Sequence, residues 1–150
     1  MATGPADRLE ERLAQAEAVC ARAGARLTEI RREVLALILA SGEPVGAYAL
    51  LDRLKLARAN AAPVTVYRAL EFLLAHGLIH KVERLNAFIG CIEHGGHDHA
   101  VQFLICSQCG GVSEIEDAGI AAAVASASAA AGFRPGRVTV EVEGRCSNCS

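Results

Sequence analysis

Residues 63–92 read Pro63-Val-Thr-Val-Tyr67-Arg68-Ala-Leu-Glu71-Phe-Leu-Leu-Ala75-His76-Gly77-Leu78-Ile-His80-Lys-Val-Glu83-Arg-Leu85-Asn86-Ala-Phe88-Ile-Gly-Cys91-Ile92. A proline can open a helix because its missing N–H falls where no intrahelical partner exists, and Gly77 is a natural stop. With Val66 at zero and about 100° per residue, Leu70, Leu73 and Leu74 fall at about 40°, about 340° and about 80°, a single buried stripe. Arg68 falls at about 200°, on the opposite side, with Thr65 at about 260° and Glu71 at about 140°. Beyond Gly77 the period becomes alternating, so Leu78–Glu83 and Phe88–Ile92 read as two strands of a hairpin. A two-residue loop at 85–86 sets His80 directly opposite Cys91.

Upstream, the helical period dominates. Residues 8–23 read as a charged, alanine-rich helix. Thr28 is the expected N-cap of a second helix that carries Ile30, Val34, Leu37 and Ile38 on one face and ends at Ser41-Gly42. A third, from Ala47 to Leu56, buries Leu50, Leu51 and Leu54. Three or four helices followed by a hairpin form the pattern of a winged helix-turn-helix. Downstream, strands at 101–106, 112–116 and 137–143 and a small-residue helix at 118–131 make a second, α/β unit. The expected fold class is therefore α+β, with a winged-helix domain at 1–92, a hinge at 93–99 and a smaller domain at 100–150. A unit of about fifty residues needs a metal or a partner subunit to hold its fold.

The chain has 150 residues, 52% apolar and 21% charged, which suits a globular protein with a real core. It has no run of eighteen apolar residues and no secretory leader, which points to a cytoplasmic protein without a membrane partner. The net charge of −2 divides unevenly: residues 1–92 carry 12 Lys/Arg against 10 Asp/Glu, and residues 93–150 carry 3 against 7. The basic excess in the first part permits an anionic partner there. Six aromatic residues and no Trp argue against a stacking platform for single strands, leaving duplex DNA as the nucleic acid to expect. An Arg facing out of a Pro-started helix is placed to reach a guanine edge in the major groove, although a solvated Arg is the commoner fate.

Four of the six cysteines form two Cys-x-x-Cys pairs, Cys106/Cys109 and Cys146/Cys149. Two thiolates three residues apart clasp one metal, and Gly110-Gly111 lets the backbone turn beneath it. Four thiolates around zinc form a closed tetrahedron with no position for a substrate, so the expected role is structural. A redox dithiol and a disulfide are the competing readings. Every histidine of the chain, at 76, 80, 94, 97 and 99, falls in the stretch from His76 to His99, a confinement that surface filling does not explain. His80 and Cys91 on one strand face could bind a second zinc, with His97 or His99 and Glu114 completing the tetrahedron. Cys20, His76 and His94 read more simply as a packed thiol, a helix-end residue and a loop residue.

Arg26-Leu-Thr28, Tyr48-Ala-Leu-Leu51, Pro63-Val-Thr-Val-Tyr67-Arg68-Ala-Leu, His80-Lys-Val-Glu83, His97-Asp-His99 and Cys106-x-x-Cys109-Gly110 together resemble the ferric uptake regulator family, from about residue 18 to 150. Within that family the likeness is greatest to its zinc-responsive branch. The resemblance implies a homodimeric repressor of zinc-uptake genes that reads a palindromic operator in double-stranded DNA. It implies recognition by helix 63–76 through Thr65, Tyr67 and Arg68, with Tyr48 as an auxiliary contact. It further implies two zinc ions per protomer: a structural one on Cys106, Cys109, Cys146 and Cys149, and a regulatory one on His80, Cys91, His99 and Glu114. Iron and peroxide sensors of the family take a histidine from ahead of the recognition helix, and this sequence has none there. The soft Cys91 thiolate favours zinc over iron or manganese. The alternatives are an iron, manganese or peroxide sensor on the same scaffold, a zinc storage or trafficking module, and a zinc enzyme. Cys/His/Glu ligation that fills all four positions leaves no open site for an activated water, which argues against the enzyme.

Overall fold

The computed structural model describes residues 4–91 and 100–150 and divides the chain into two compact units, Met1–Gly96 and His97–Ser150. The hinge expected at 93–99, together with His94, His97 and His99, lies outside the described residues. No described helix is long and apolar enough to cross a membrane.

The first unit contains α1 (Pro5–Arg22), α2 (Glu29–Ser41), α3 (Ala47–Ala57), α4 (Pro63–Ala75), β1 (Ile79–Val82) and β2 (Ala87–Gly90). α1 begins three residues earlier than the charge pattern suggests. Pro5 sits at its first position and the Asp7 carboxylate accepts the Gly4 N–H at 3.1 Å, so the first turn is capped before the apolar stripe begins. Thr28 does occupy the N-cap of α2, but it contributes its carbonyl, which accepts the Arg32 N–H at 2.9 Å, and its side chain makes no capping bond. Gly42, with φ 66°, ends the helix in the left-handed conformation that glycine adopts without steric cost.

One apolar core unites these elements: Leu13 and Ala16 from α1, Val34, Leu35 and Ile38 from α2, Leu50, Leu51 and Leu54 from α3, Val66, Ala69, Leu70 and Leu73 from α4, and Val45, Ile79 and Phe88. The stripe on α4 therefore centres on Ala69 and Leu73, with Leu74 only half-buried at its margin. On α2, Leu35 is buried and Leu37 only partly so. Val45 bridges Phe88 through two backbone hydrogen bonds of 2.9 and 2.8 Å, giving the hairpin a third edge against the helices.

The hairpin differs from the expected register. β1 pairs with β2 so that Ile79 faces Gly90, His80 faces Ile89 and Val82 faces Ala87. Glu83–Leu85 form a 3₁₀ turn and Asn86 takes φ 47°, so the connection spans four residues rather than two. His80 is therefore not directly opposite Cys91; Cys91 instead follows the strand end and donates its N–H to the Leu78 carbonyl at 3.2 Å.

The second unit holds β3 (Val101–Cys106), β4 (Val112–Ile115), α5 (Ala118–Ala130) and β5 (Thr139–Gly144), with sheet order β4-β3-β5. β3 pairs antiparallel with β4 and, after the α5 crossover, parallel with β5. Buried Gln102 fixes that crossover. Its amide donates to the Asp117 carbonyl at 3.0 Å and accepts the Asp117 N–H at 3.2 Å, while Asp117 caps α5 by accepting the Ile120 N–H at 3.0 Å. No residue of α5 is buried, Phe133 just beyond it is 67% exposed, and Leu104 and Val142 face solvent side by side on the sheet.

Candidate metal centre and nucleic-acid interface

The parallel pairing of β3 with β5 assembles the cysteine centre. Cys106 ends β3 opposite Gly144, the last residue of β5, so Cys146 emerges two residues beyond its neighbour's end. Ser107 ties the two ends together, its N–H and hydroxyl both donating to the Gly144 carbonyl at 2.9 and 3.0 Å. The knuckle closes through Gly110 N–H to the Cys106 carbonyl and Cys106 N–H to the Gly111 carbonyl, each 2.9 Å, with Gly110 at φ 73°. At the other pair, the Cys149 and Ser150 N–H groups both donate to the Cys146 carbonyl at 3.0 Å.

All four sulfurs then lie within 4.8 Å of one another, with Cys109 Sγ 3.9 Å from Cys146 Sγ. A tetrahedron with zinc–sulfur bonds of about 2.3 Å has edges of about 3.8 Å, so the cluster fits a zinc ion. Backbone N–H groups of Gly111 and Cys146 point at Cys109 Sγ and Cys106 Sγ, each at 3.4 Å, and would offset thiolate charge around a metal. N–H donors, foremost that of Cys109, hold the Cys106 thiol down to about 6. The hydrogen bond with Cys146 leads the effects that push Cys149 up to about 12, followed by burial and the other thiols. Four crowded thiols cannot all ionise together without a cation among them.

His80 on β1 and Glu114 on β4 are half-buried, Cys91 is buried, and His99 lies outside the described residues. His80 and Cys91 still share a face. Directly opposed residues point the same way, so His80 matches Ile89, and Cys91 lies two residues further on the same side. They are diagonal neighbours.

Arg68 is exposed on the side of α4 opposite Val66, Ala69, Leu70 and Leu73, and Tyr67 beside it is 48% exposed. Tyr48, in the first turn of α3, is 76% exposed, a large value for an aromatic side chain. Thr65 is half-buried and lines a cleft of about 330 Å³ with Ile30, Arg58 and residues 59–61. Arg58 at the end of α3 grips Glu33 of α2 through two bonds of 2.7 and 3.0 Å, fixing the approach to α4. His76 caps the far end of α4, its Nδ1 2.9 Å from the Phe72 carbonyl and its ring on Phe72, and Cys20 is packed inside with its thiol pushed up by burial.

Two residues in these frameworks escape sequence reading. Gln102 serves the α5 crossover, and the Arg12 guanidinium donates to the Cys91 carbonyl at 3.1 Å. Both bind main-chain groups distant in sequence, which no periodicity announces.

A winged helix-turn-helix with an aromatic and arginine outer face, followed by a small α/β unit closed by four thiols, defines a two-unit, metal-thiolate class of winged-helix protein. The chain belongs to the ferric uptake regulator family, whose model matches residues 22–143. It is 40% identical over 140 residues to the zinc uptake regulation protein of Escherichia coli strain K12, covering 93% of this chain and 82% of that protein. Its fold matches a zinc uptake regulator complexed with zinc and DNA at a TM-score of 0.87 and 39% identity, covering 93% of each chain. It also matches the crystal structure of holo XcZur at 0.80 and 43% identity, covering 91% of this chain and 94% of that one.

Proposed function

We propose that this protein is a zinc-responsive, DNA-binding transcriptional repressor of zinc-uptake genes, and not an enzyme. The observation that carries the reading is that one winged-helix unit combines an outward Tyr48, Tyr67 and Arg68 surface with a wing that places His80 and Cys91 on one face. In this reading Arg68 contacts a base edge, Tyr67, Thr65 and Tyr48 position the helix, and the operator is a palindrome read by a homodimer. The unburied α5, exposed Phe133 and the Leu104/Val142 face support dimerisation through residues 100–150. Cys106, Cys109, Cys146 and Cys149 hold a structural zinc, and His80, Cys91, His99 and Glu114 a regulatory one, two per protomer. A bound zinc would supply positive charge that offsets the thiolates and would tie together the segments that bear its ligands.

Ligands drawn from the wing, the 93–99 hinge and the second unit make metal binding favour one arrangement of the protein over others. If that arrangement is the DNA-binding one, operator DNA must tighten zinc binding by the same factor that zinc tightens operator binding. Cys91→Ser tests the reading. It is expected to abolish zinc-dependent operator binding in a mobility-shift titration while the four-cysteine zinc, the fold and the dimer persist. A variant that still responds to zinc as the parent does would place the sensing site elsewhere.

A further inference from the structure

Cys91 follows the last residue of β2, at the point where the ladder runs out. An antiparallel pair at this position exchanges two hydrogen bonds, and only one is made here. Cys91 N–H donates to the Leu78 carbonyl at 3.2 Å, but the Leu78 N–H is already committed to the Leu73 carbonyl at the end of α4, at 3.0 Å. The donor that a continued ladder would offer the Cys91 carbonyl is thus spent elsewhere, and Arg12, from the first helix, takes that place at 3.1 Å. The approach is open because residue 90 is glycine. A Cβ there would stand 3.2 Å from Arg12 Nη2 and 2.5 Å from Leu39 Cδ2.

We propose that Arg12 is a positioning residue for the Cys91 thiol: by holding the Cys91 carbonyl it fixes the peptide plane after this residue and so, together with the Leu78 bond on the plane before it, aims its side chain. The proposal rests on the reading of Cys91 as a zinc ligand. The peptide plane before Cys91 is set by the Leu78 bond, and the plane after it by a charge-assisted bond from the guanidinium. With both planes fixed, the Cα–Cβ direction is fixed, and the thiolate is pre-organised toward the face it shares with His80. α1 thereby acts on the metal through the main chain without supplying a ligand, and groups of this kind alter metal affinity through ligand orientation.

The test uses full-length protein with zinc in the four-cysteine site and cobalt(II) as the probe of the second. Thiolate ligation gives a sulfur-to-cobalt charge-transfer band, and zinc affinity follows from chelator competition. Arg12→Met keeps the aliphatic stem but removes the donor; it is expected to weaken zinc binding roughly tenfold and to diminish or shift the band even at saturating cobalt. Arg12→Lys, which can still reach one carbonyl, should recover most of both. If Cys91→Ser loses the band while Arg12→Met matches the parent in band and affinity, the positioning role is overturned and the ligand assignment stands. If Cys91→Ser keeps the band, the ligand assignment itself falls. Equal melting losses in both Arg12 variants with an unchanged band at saturation would make Arg12 a packing residue only, which also overturns the proposal.

Discussion

Replacing both Cys146 and Cys149 by Ser offers the sharpest test of what holds the second unit together. Its buried residues, Ala100, Val101, Gln102, Phe103, Ile105 and Cys106, lie on or just before a single strand, and α5 adds none. A metal clasp between Cys109 and Cys146 closes a loop with 36 intervening residues. By the chain-entropy relation for cross-links, closing such a loop is worth about 4 kcal/mol, against about 5–15 kcal/mol for a whole folded domain. Losing it should leave the β4-β3-β5 sheet opening roughly a thousandfold more often, at about 1.4 kcal/mol per decade. Native-state hydrogen exchange reads this directly at the β3 and β5 amides. The α2 and α4 amides serve as the internal control, because the core of the first unit draws on none of the four cysteines. A Cys146→Ser/Cys149→Ser protein whose β3 protection stays within about 1 kcal/mol of the parent would refute the idea that the clasp, and not the sheet alone, stabilises this unit.

Other perturbations separate the remaining roles. Gly90→Ala puts a methyl 2.5 Å from Leu39 Cδ2, so urea unfolding should show the first unit destabilised by about 1–3 kcal/mol; unchanged stability would mean that Leu39 yields freely. Arg68→Ala should cost about 1–3 kcal/mol on the cognate operator and relax preference at one position per half-site, whereas equal losses on cognate and random DNA would make it a phosphate contact. Zinc loading of the four-cysteine centre should release protons, since Cys149, pushed up to about 12, keeps its proton at neutral pH while Cys106, at about 6, has mostly lost its own. Affinity should accordingly fall as pH falls, and calorimetry in buffers of different ionisation enthalpy will count the protons; zinc uptake without proton release would show that the thiols are not the ligands.

The helices of the first unit are legible in the sequence because period and punctuation agree: Pro63 and Gly77 bracket α4, and Leu50, Leu51 and Leu54 mark the buried side of α3. The cysteine centre is legible for a different reason. Each pair is local, and only the parallel pairing of β3 with β5, which a strand-helix-strand crossover favours, is needed to join them. The Gln102 clamp and the Arg12 bond are not legible. Arg12 and Cys91 are 79 positions apart, and the acceptor is a carbonyl that every residue possesses. Nothing in side-chain identity can mark such a partner before the chain is folded.

The hairpin keeps His80 and Cys91 on one face although its turn is longer than the strand pattern predicts. A two-residue loop would have opposed His80 to Cys91; the real turn adds Glu83 and Arg84 to the connection and uses Asn86 in the left-handed region, a residue type for which that conformation is tolerable. The register therefore moves by two, and side chains alternate with period two, so His80 and Cys91 exchange direct opposition for a diagonal and keep their common face. A shift of one residue would have turned Cys91 to the face of Ile79 and Phe88, inside the apolar core, where a thiol packs rather than binds a metal. The turn chemistry at Asn86, more than the strand pattern itself, thus decides whether this wing can carry a ligand pair, and the Arg12 bond then holds the second ligand where that turn has put it.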